Sequence, residues 1–134
     1  MDAGGPGRAK FAGWLAATMQ SRGLSQAQLA RSVGVADTLF AYVFLDPANP
    51  PSEVMLQWYD GTWEHRAYWG SNSIAWGTDG TASRRSMGAL PAAGQWVKLS
   101  VPASEVGLEG RTVRGMAFTL YGGRATWDYA GKTP

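Results

Sequence analysis

The stretch 34–47, GVADTLFAYVFLDP, decides the fold, because the residues before it repeat at helical spacing and those after it at strand spacing. Read as a helix, Thr38–Leu45 would join two preceding helices in a bundle, with everything after Asp46 an attachment. Read as a strand, it would open a β-sandwich that takes up most of the chain. Its centre, LFAYVFL at 39–45, is a continuous apolar run of seven residues including Phe, Tyr and Val. Such a run suits a strand buried on both faces better than a half-exposed helix. The following DPANPP at 46–51 halts any helix at once. A strand over Thr38–Leu45 is therefore expected.

Upstream, residues 1–7 form a Gly-rich lead-in. Over residues 8–22, Phe11, Trp14, Leu15 and Met19 recur at i, i+3, i+4 and i+8, one face of an amphipathic helix, and Gly23 supplies its terminating residue. Ser25 and Gln28 make an S-x-x-Q capping box for a second helix, whose inner face is Leu29, Ala30 and Val33 and which Gly34 ends. Two short helices joined by a Gly-containing turn are the opening of a helix-turn-helix. The run FAGWLAATMQSRGLSQAQLARSVGV at 11–35 resembles the start of a bacterial DNA-binding domain of the phage-repressor (Cro/C1, or XRE) type, matched at Arg22-Gly23-Leu24-Ser25-Gln26, Leu29-Ala30 and Gly34-Val35. The resemblance implies that Gln26 touches a DNA phosphate and that the next helix enters the major groove, with Arg22, Gln26, Arg31 and Thr38 as the DNA-contact set. Residues 36–44, which would do the reading, contain no Arg, Lys, Asn or Gln to address base edges.

Downstream, the grammar changes. Six of the seven tryptophans and all five tyrosines lie after residue 41, among dense Gly and Pro punctuation, the mark of an all-β sandwich or barrel. Glu53–Tyr59 reads as a strand with Val54, Leu56 and Trp58 on one face, and Asp60-Gly61 as a hairpin turn. A return strand over 62–69 alternates Trp63, His65, Ala67 and Trp69 with Glu64, Arg66 and Tyr68. Further strands are expected over 81–87 and over 95–101, the latter with Val97, Leu99 and Val101 inward, and Val106 to Leu108 should pack as a turn under the sheet. The chain should close with a strand pair, 113–121 and 124–129, around Gly122-Gly123, with Met116, Phe118 and Leu120 inward. The phrases LFAYVFLDPANPPSEVMLQW, DGTWEHRAYWG, AAGQWVKLSVPASEVGLEG and GMAFTLYGGRATWD resemble the C-terminal two-thirds of a bacterial galactose-binding-like (discoidin-like jelly-roll) accessory module, over residues 37–133. That resemblance implies a carbohydrate- or surface-binding module of the kind found in secreted proteins.

The expected fold class is thus α+β: two N-terminal helices packed on an antiparallel β-sandwich, a truncated jelly roll. Residues 1–36 would be the helical segment and 37–134 the sandwich, together one folded unit, either an unusual natural fusion or a chimera with no evolved activity.

Charge and composition narrow the chemistry. Residues 1–38 hold Arg8, Lys10, Arg22 and Arg31 against Asp2 and Asp37, four minus two or +2; the remainder holds eight of each sign. The basic excess sits wholly in the N-terminal segment, a pointer to a polyanion there. No cysteine and a single histidine leave no ligand set for zinc or haem and no thiol chemistry, so neither metal nor cofactor is expected. No apolar run is long enough for a membrane helix and residues 1–10 lack a secretory signal pattern, so no membrane partner and a cytoplasmic location are expected. No nucleophile, base and orienting group stand out around His65, and no two of Glu53, Glu64, Asp79 and Asp128 are singled out as a glycosidase pair, so a non-enzymatic binding module is expected. Aromatic surface beside polar groups is what sugar recognition uses, and Trp63, Arg66, Tyr68, Trp69, Trp76 and Asp79 cluster around one hairpin and its following loop. These six are the expected ligand-binding residues, with a carbohydrate as partner; nucleic acid bound by the N-terminal segment is the alternative.

Overall fold

The structure, a computed structural model, describes residues 31–134. Among them the strands are β1 (Arg31–Ser32), β2 (Thr38–Leu45), β3 (Glu53–Tyr59), β4 (Arg66–Gly70), β5 (Arg85–Ser86), β6 (Trp96–Pro102), β7 (Thr112–Val113), β8 (Gly115–Tyr121) and β9 (Ala125–Thr133), with a 3-10 turn at Ala103–Val106. They make a three-stranded sheet β6-β2-β9, a four-stranded sheet β5-β4-β3-β8 and a small ladder β1-β7.

The run LFAYVFL is the middle of its sheet, with β6 and β9 paired antiparallel on either side. Leu39, Ala41, Val43 and Leu45 point into the core. On the opposite face, Phe40 meets Tyr42 and Tyr129 edge-on, Phe44 packs against Trp96, and the Lys98 ammonium stands 4.6 Å over the Phe40 ring. Both faces of β2 therefore carry apolar contacts, which is why its sequence shows no polar alternation. A bulge between Ala41 and Tyr42 leaves Tyr129 as the extra residue of β9, at φ +49°, in the left-handed region that side chains other than glycine rarely adopt.

The second sheet is built on β3, flanked antiparallel by β4 and β8. Val54, Leu56 and Trp58 are fully buried and share one core with the inward residues of β2, with Leu99 and Val101 of β6, and with Ala67 and Trp69 of β4. The 3-10 turn closes one end, placing Val106 and Leu108 at zero exposure, and Val33 and Val113 close it from the β1-β7 ladder. Each large side chain so buried contributes about 1.5–3 kcal/mol against leaving it in water. Met116, Phe118 and Leu120 of β8 and Trp127 of β9 complete the core from a more open flank.

Four expectations are corrected. The α+β class gives way to a mostly-β fold: about half of the described chain is strand and no helix of seven residues or more occurs in it. The two expected helices fall mainly on residues 8–30, outside the described residues; where the second should reach Gly34, Arg31–Ser32 is instead strand β1, paired with Thr112–Val113. Its extended backbone puts Val33 in the sheet core, so the β part begins ahead of residue 37. The Glu53 hairpin is present, but its return strand starts only at Arg66, because Asp60 folds residues 60–65 into a wider loop by accepting the Thr62 and His65 contacts described below. Finally, the segments around Gly122-Gly123 do not pair with each other: β8 joins β3 and β9 joins β2, so the turn carries the chain from one sheet to the other. Gly123, at φ +65°, lies so close to Pro50 and Pro51 that a Cβ would collide with their backbone, which pins this crossing against the 46–51 loop.

Candidate ligand-binding site

Strand alternation turns Glu53, Met55, Gln57 and Tyr59 of β3 away from the core, together with Arg66 and Tyr68 of β4 and Ala117, Thr119 and Tyr121 of β8. Over part of this outward face lies the 71–84 loop, fixed by three sets of contacts, two to the sheet and one within the loop itself. The first is Glu53, fully buried, whose Oε1 accepts the Ser73 and Ile74 N–H groups at 2.7 and 3.0 Å. The second is Tyr68, whose hydroxyl donates to Asp79 at 2.7 Å. The third is Arg84, which donates to the Ile74 carbonyl at 3.1 Å. Ile74 plugs into Met55 and Tyr68 as a small second core. Gly77, at φ +82°, passes against the Ser83 carbonyl and the Arg66 guanidinium, where no side chain fits.

Between this loop and the β8 edge is a cavity of about 280 Å³, lined by Ser73, Ile74, Ala75, Trp76, Thr119, Leu120 and Tyr121. Trp76 and Tyr121 are 49% and 52% exposed, the two most exposed large aromatic side chains among the described residues. No charged residue lines the cavity, whose polar side chains are the hydroxyls of Ser73, Thr119 and Tyr121. Arg66 Nε donates to Gln57 Oε1 at 2.7 Å, and Gln57 Nε2 donates to Thr119 Oγ1 at 2.9 Å. With its oxygen accepting from Gln57, the Thr119 hydroxyl directs its own proton elsewhere, and the buried guanidinium at the head of the chain polarises it. The cavity lining therefore combines apolar and aromatic surface with Thr119, whose hydroxyl oxygen already accepts from Gln57 and keeps its proton to donate.

The six residues expected to bind a ligand occupy different places. Trp76 lines the cavity, and Trp63, 39% exposed, lies against Tyr59 at a ring separation of 5.1 Å toward the other end of the same sheet face. Arg66 reaches the cavity only through Gln57, and also holds the Ser83 carbonyl at 3.1 Å. Tyr68 and Asp79 bind each other and secure the loop; burial foremost, then the bond to Asp79, pushes the Tyr68 phenol above its ordinary pKa. Trp69 is in the inter-sheet core at 8% exposure. Thr119, Tyr121 and Ser73 did not stand out in the sequence. Thr119 and Tyr121 share a face with Ala117 by alternation, but only the loop anchored on Glu53 gives that face a wall.

Of the alternative DNA-contact set, Arg22 and Gln26 lie outside the described residues; Arg31 is exposed on β1 and Thr38 begins β2. Residues 38–45, which would contain most of the reading helix, are the strand at the centre of a sheet. Among the described residues no group of three or more His, Asp or Glu side chains is placed to hold a metal ion, and no helix is long and apolar enough to cross a membrane.

A second polar cluster lies at the hairpin end. Asp60, its side chain 1% exposed, has Oδ1 at 2.9 Å from His65 Nε2 and Oδ2 at 2.9 Å from Arg111 Nε, the latter an ion-pair contact whose angle falls short of a hydrogen bond. His65 Nδ1 in turn meets the Val106 carbonyl at 2.6 Å, tying the hairpin to the 3-10 turn. Burial opposes ionisation of Asp60, but the charge of His65, the Thr62 and His65 hydrogen bonds and Arg111 outweigh it and hold the carboxyl below its ordinary pKa. Every member of this cluster is engaged in holding the fold, which explains how the single histidine is used.

Compared with protein-family models, with curated proteins and with solved structures, the chain has no match.

Proposed function

We propose that this protein is a non-catalytic module that binds an uncharged carbohydrate at the Trp76–Tyr121 cavity. The observation that carries the reading is the pairing, in one cavity, of two half-exposed aromatic side chains with a Thr119 hydroxyl oriented by the Arg66–Gln57 chain. A sugar ring has the complementary form: C–H groups on its faces pack on aromatic rings, and oxygens at its rim accept hydrogen bonds. The lining is uncharged, so a sugar acid or phosphate has no counter-charge there. The resemblance of residues 37–133 to galactose-binding-like modules supports the same reading from the sequence side.

The test is a titration of tryptophan emission with a panel of soluble neutral glycans, repeated on Trp76→Ala and Thr119→Val. Binding by the parent chain that is weakened roughly tenfold or more in Trp76→Ala, as loss of an aromatic contact requires, is the expected result. Unchanged emission across the panel, backed by a null calorimetric titration, defeats the proposal.

A further inference from the structure

Building on that reading of the cavity, we infer that the ligand is a linear oligosaccharide laid along β8, with a second aromatic contact at Trp63. The two exposed tryptophans of the outward sheet face stand at opposite ends of one strand pair. Tyr121, beside Trp76 in the cavity, is opposite Glu53 at the end of β8; Gly115, at its start, is opposite Tyr59, against which Trp63 packs. A Cβ on Gly115 would meet Tyr59 Cβ at 3.5 Å and Trp63 Cη2 at 3.8 Å, so the indole stands directly beside the first residue of the strand.

Six residue steps separate the two ends, a span of about 20 Å at strand rise, which is the length of about four sugar rings in an extended chain. What lies between suits such a chain. The outward positions of β8 are Gly115, Ala117 and Thr119, partly exposed and too short to obstruct a ligand, and β8 is an edge strand, open on the side away from β3. Thr119, with its oriented hydroxyl, sits just inside the Tyr121 end. A single terminal sugar would occupy the cavity and leave Trp63 without a purpose in binding. A chain spans from one tryptophan to the other.

The experiment uses the full chain and three ladders, β-1,4-linked gluco-, xylo- and manno-oligosaccharides from disaccharide to hexasaccharide, titrated by calorimetry. The expected result is an affinity that rises with length and levels off near the tetra- or pentasaccharide. In Trp63→Ala the rise is lost while disaccharide binding stays as in the parent; in Trp76→Ala all lengths weaken, roughly tenfold for one aromatic platform. Melting curves on both variants, whose indoles are surface groups, confirm that folding is intact. Affinity independent of length, with Trp63→Ala silent, overturns the linear track but leaves the cavity reading standing. Binding of none of the ladders, together with a silent panel of branched and monomeric sugars, overturns both.

Discussion

Glu53 is a charged residue with no exposure, used as a fastener: one carboxylate oxygen takes the two N–H groups that fix the cavity wall, and the other is buried without a hydrogen bond. Removing the carboxyl strands the buried Ile74 N–H and leaves that of exposed Ser73 to water, and a buried unmet donor costs about 1–3 kcal/mol. Glu53→Ala should therefore lower stability by at least that amount in a urea melt and weaken ligand binding too, since Ser73 and Ile74 lose their anchor. Glu53→Gln keeps one acceptor oxygen and should fall between the two. Tyr68→Phe gives a milder version, about 0.5–1.5 kcal/mol for the lost bond to Asp79. The raised Tyr68 pKa has a directional consequence: its stabilisation is complete below the ordinary phenol value of about 10 and is lost as the pH climbs through the folded value. An alkaline melt series on the parent and on Tyr68→Phe should diverge below that pH and converge above it.

At the level of elements, two aspartates act as clasps between segments far apart in sequence. Asp37, just before β2, accepts the Gly34 N–H at 2.6 Å and the Lys132 ammonium at 3.0 Å, and these contacts set its pKa below the ordinary value. Asp60, at the end of β3, is likewise shifted down by its surroundings. A depressed carboxylate contributes stability that is present above its unfolded value, about 4, and vanishes as the pH falls through the lower folded value. Acid unfolding followed by circular dichroism should thus steepen below about pH 4, and Asp37→Asn with Asp60→Asn should flatten that slope; equal slopes would show that these clasps do not govern it. Which elements would form was largely written in local patterns. The apolar run of β2, the Val54-Leu56-Trp58 face of β3 and the Val97-Leu99-Val101 face of β6 all follow the alternation that a half- or fully buried strand demands. The start of β4 was misplaced because Asp60 binds His65 through space, a contact with no signature in neighbouring residues. The separation of β8 from β9 was equally hidden: a Gly-Gly turn serves a hairpin or a change of sheet, and the choice lies in the distant partners β3 and β2. Trp76 was legible as an exposed aromatic side chain because of its loop, whereas Trp69 alternates into the core and Thr119 gains its hydrogen-bond setting only from Gln57 and Arg66.

Among the described residues, stability rests chiefly on the core between the two sheets, centred on Trp58, the largest of its fully buried side chains. Trp58→Ala should cost about 3–5 kcal/mol, enough to erase much of the stability of a domain this size, while Trp76→Ala should change the melt little. Single transitions that coincide by fluorescence and circular dichroism are expected, since both sheets draw on the same core. The pairing of β2 carries this unity into time. Its neighbours are β6 and β9, so the strand whose sequence announces the sheet must wait for residues 96–102 on one side and 125–133 on the other. On the ribosome, a chain not yet extended through β9 would hold β2 with one edge unsatisfied, and such non-local closure is slow. Strand β9, ATWDYAGKT, thus acts as a latch on the newly made sheet, and a nascent chain stopped before it should remain open to proteases that a chain including it resists.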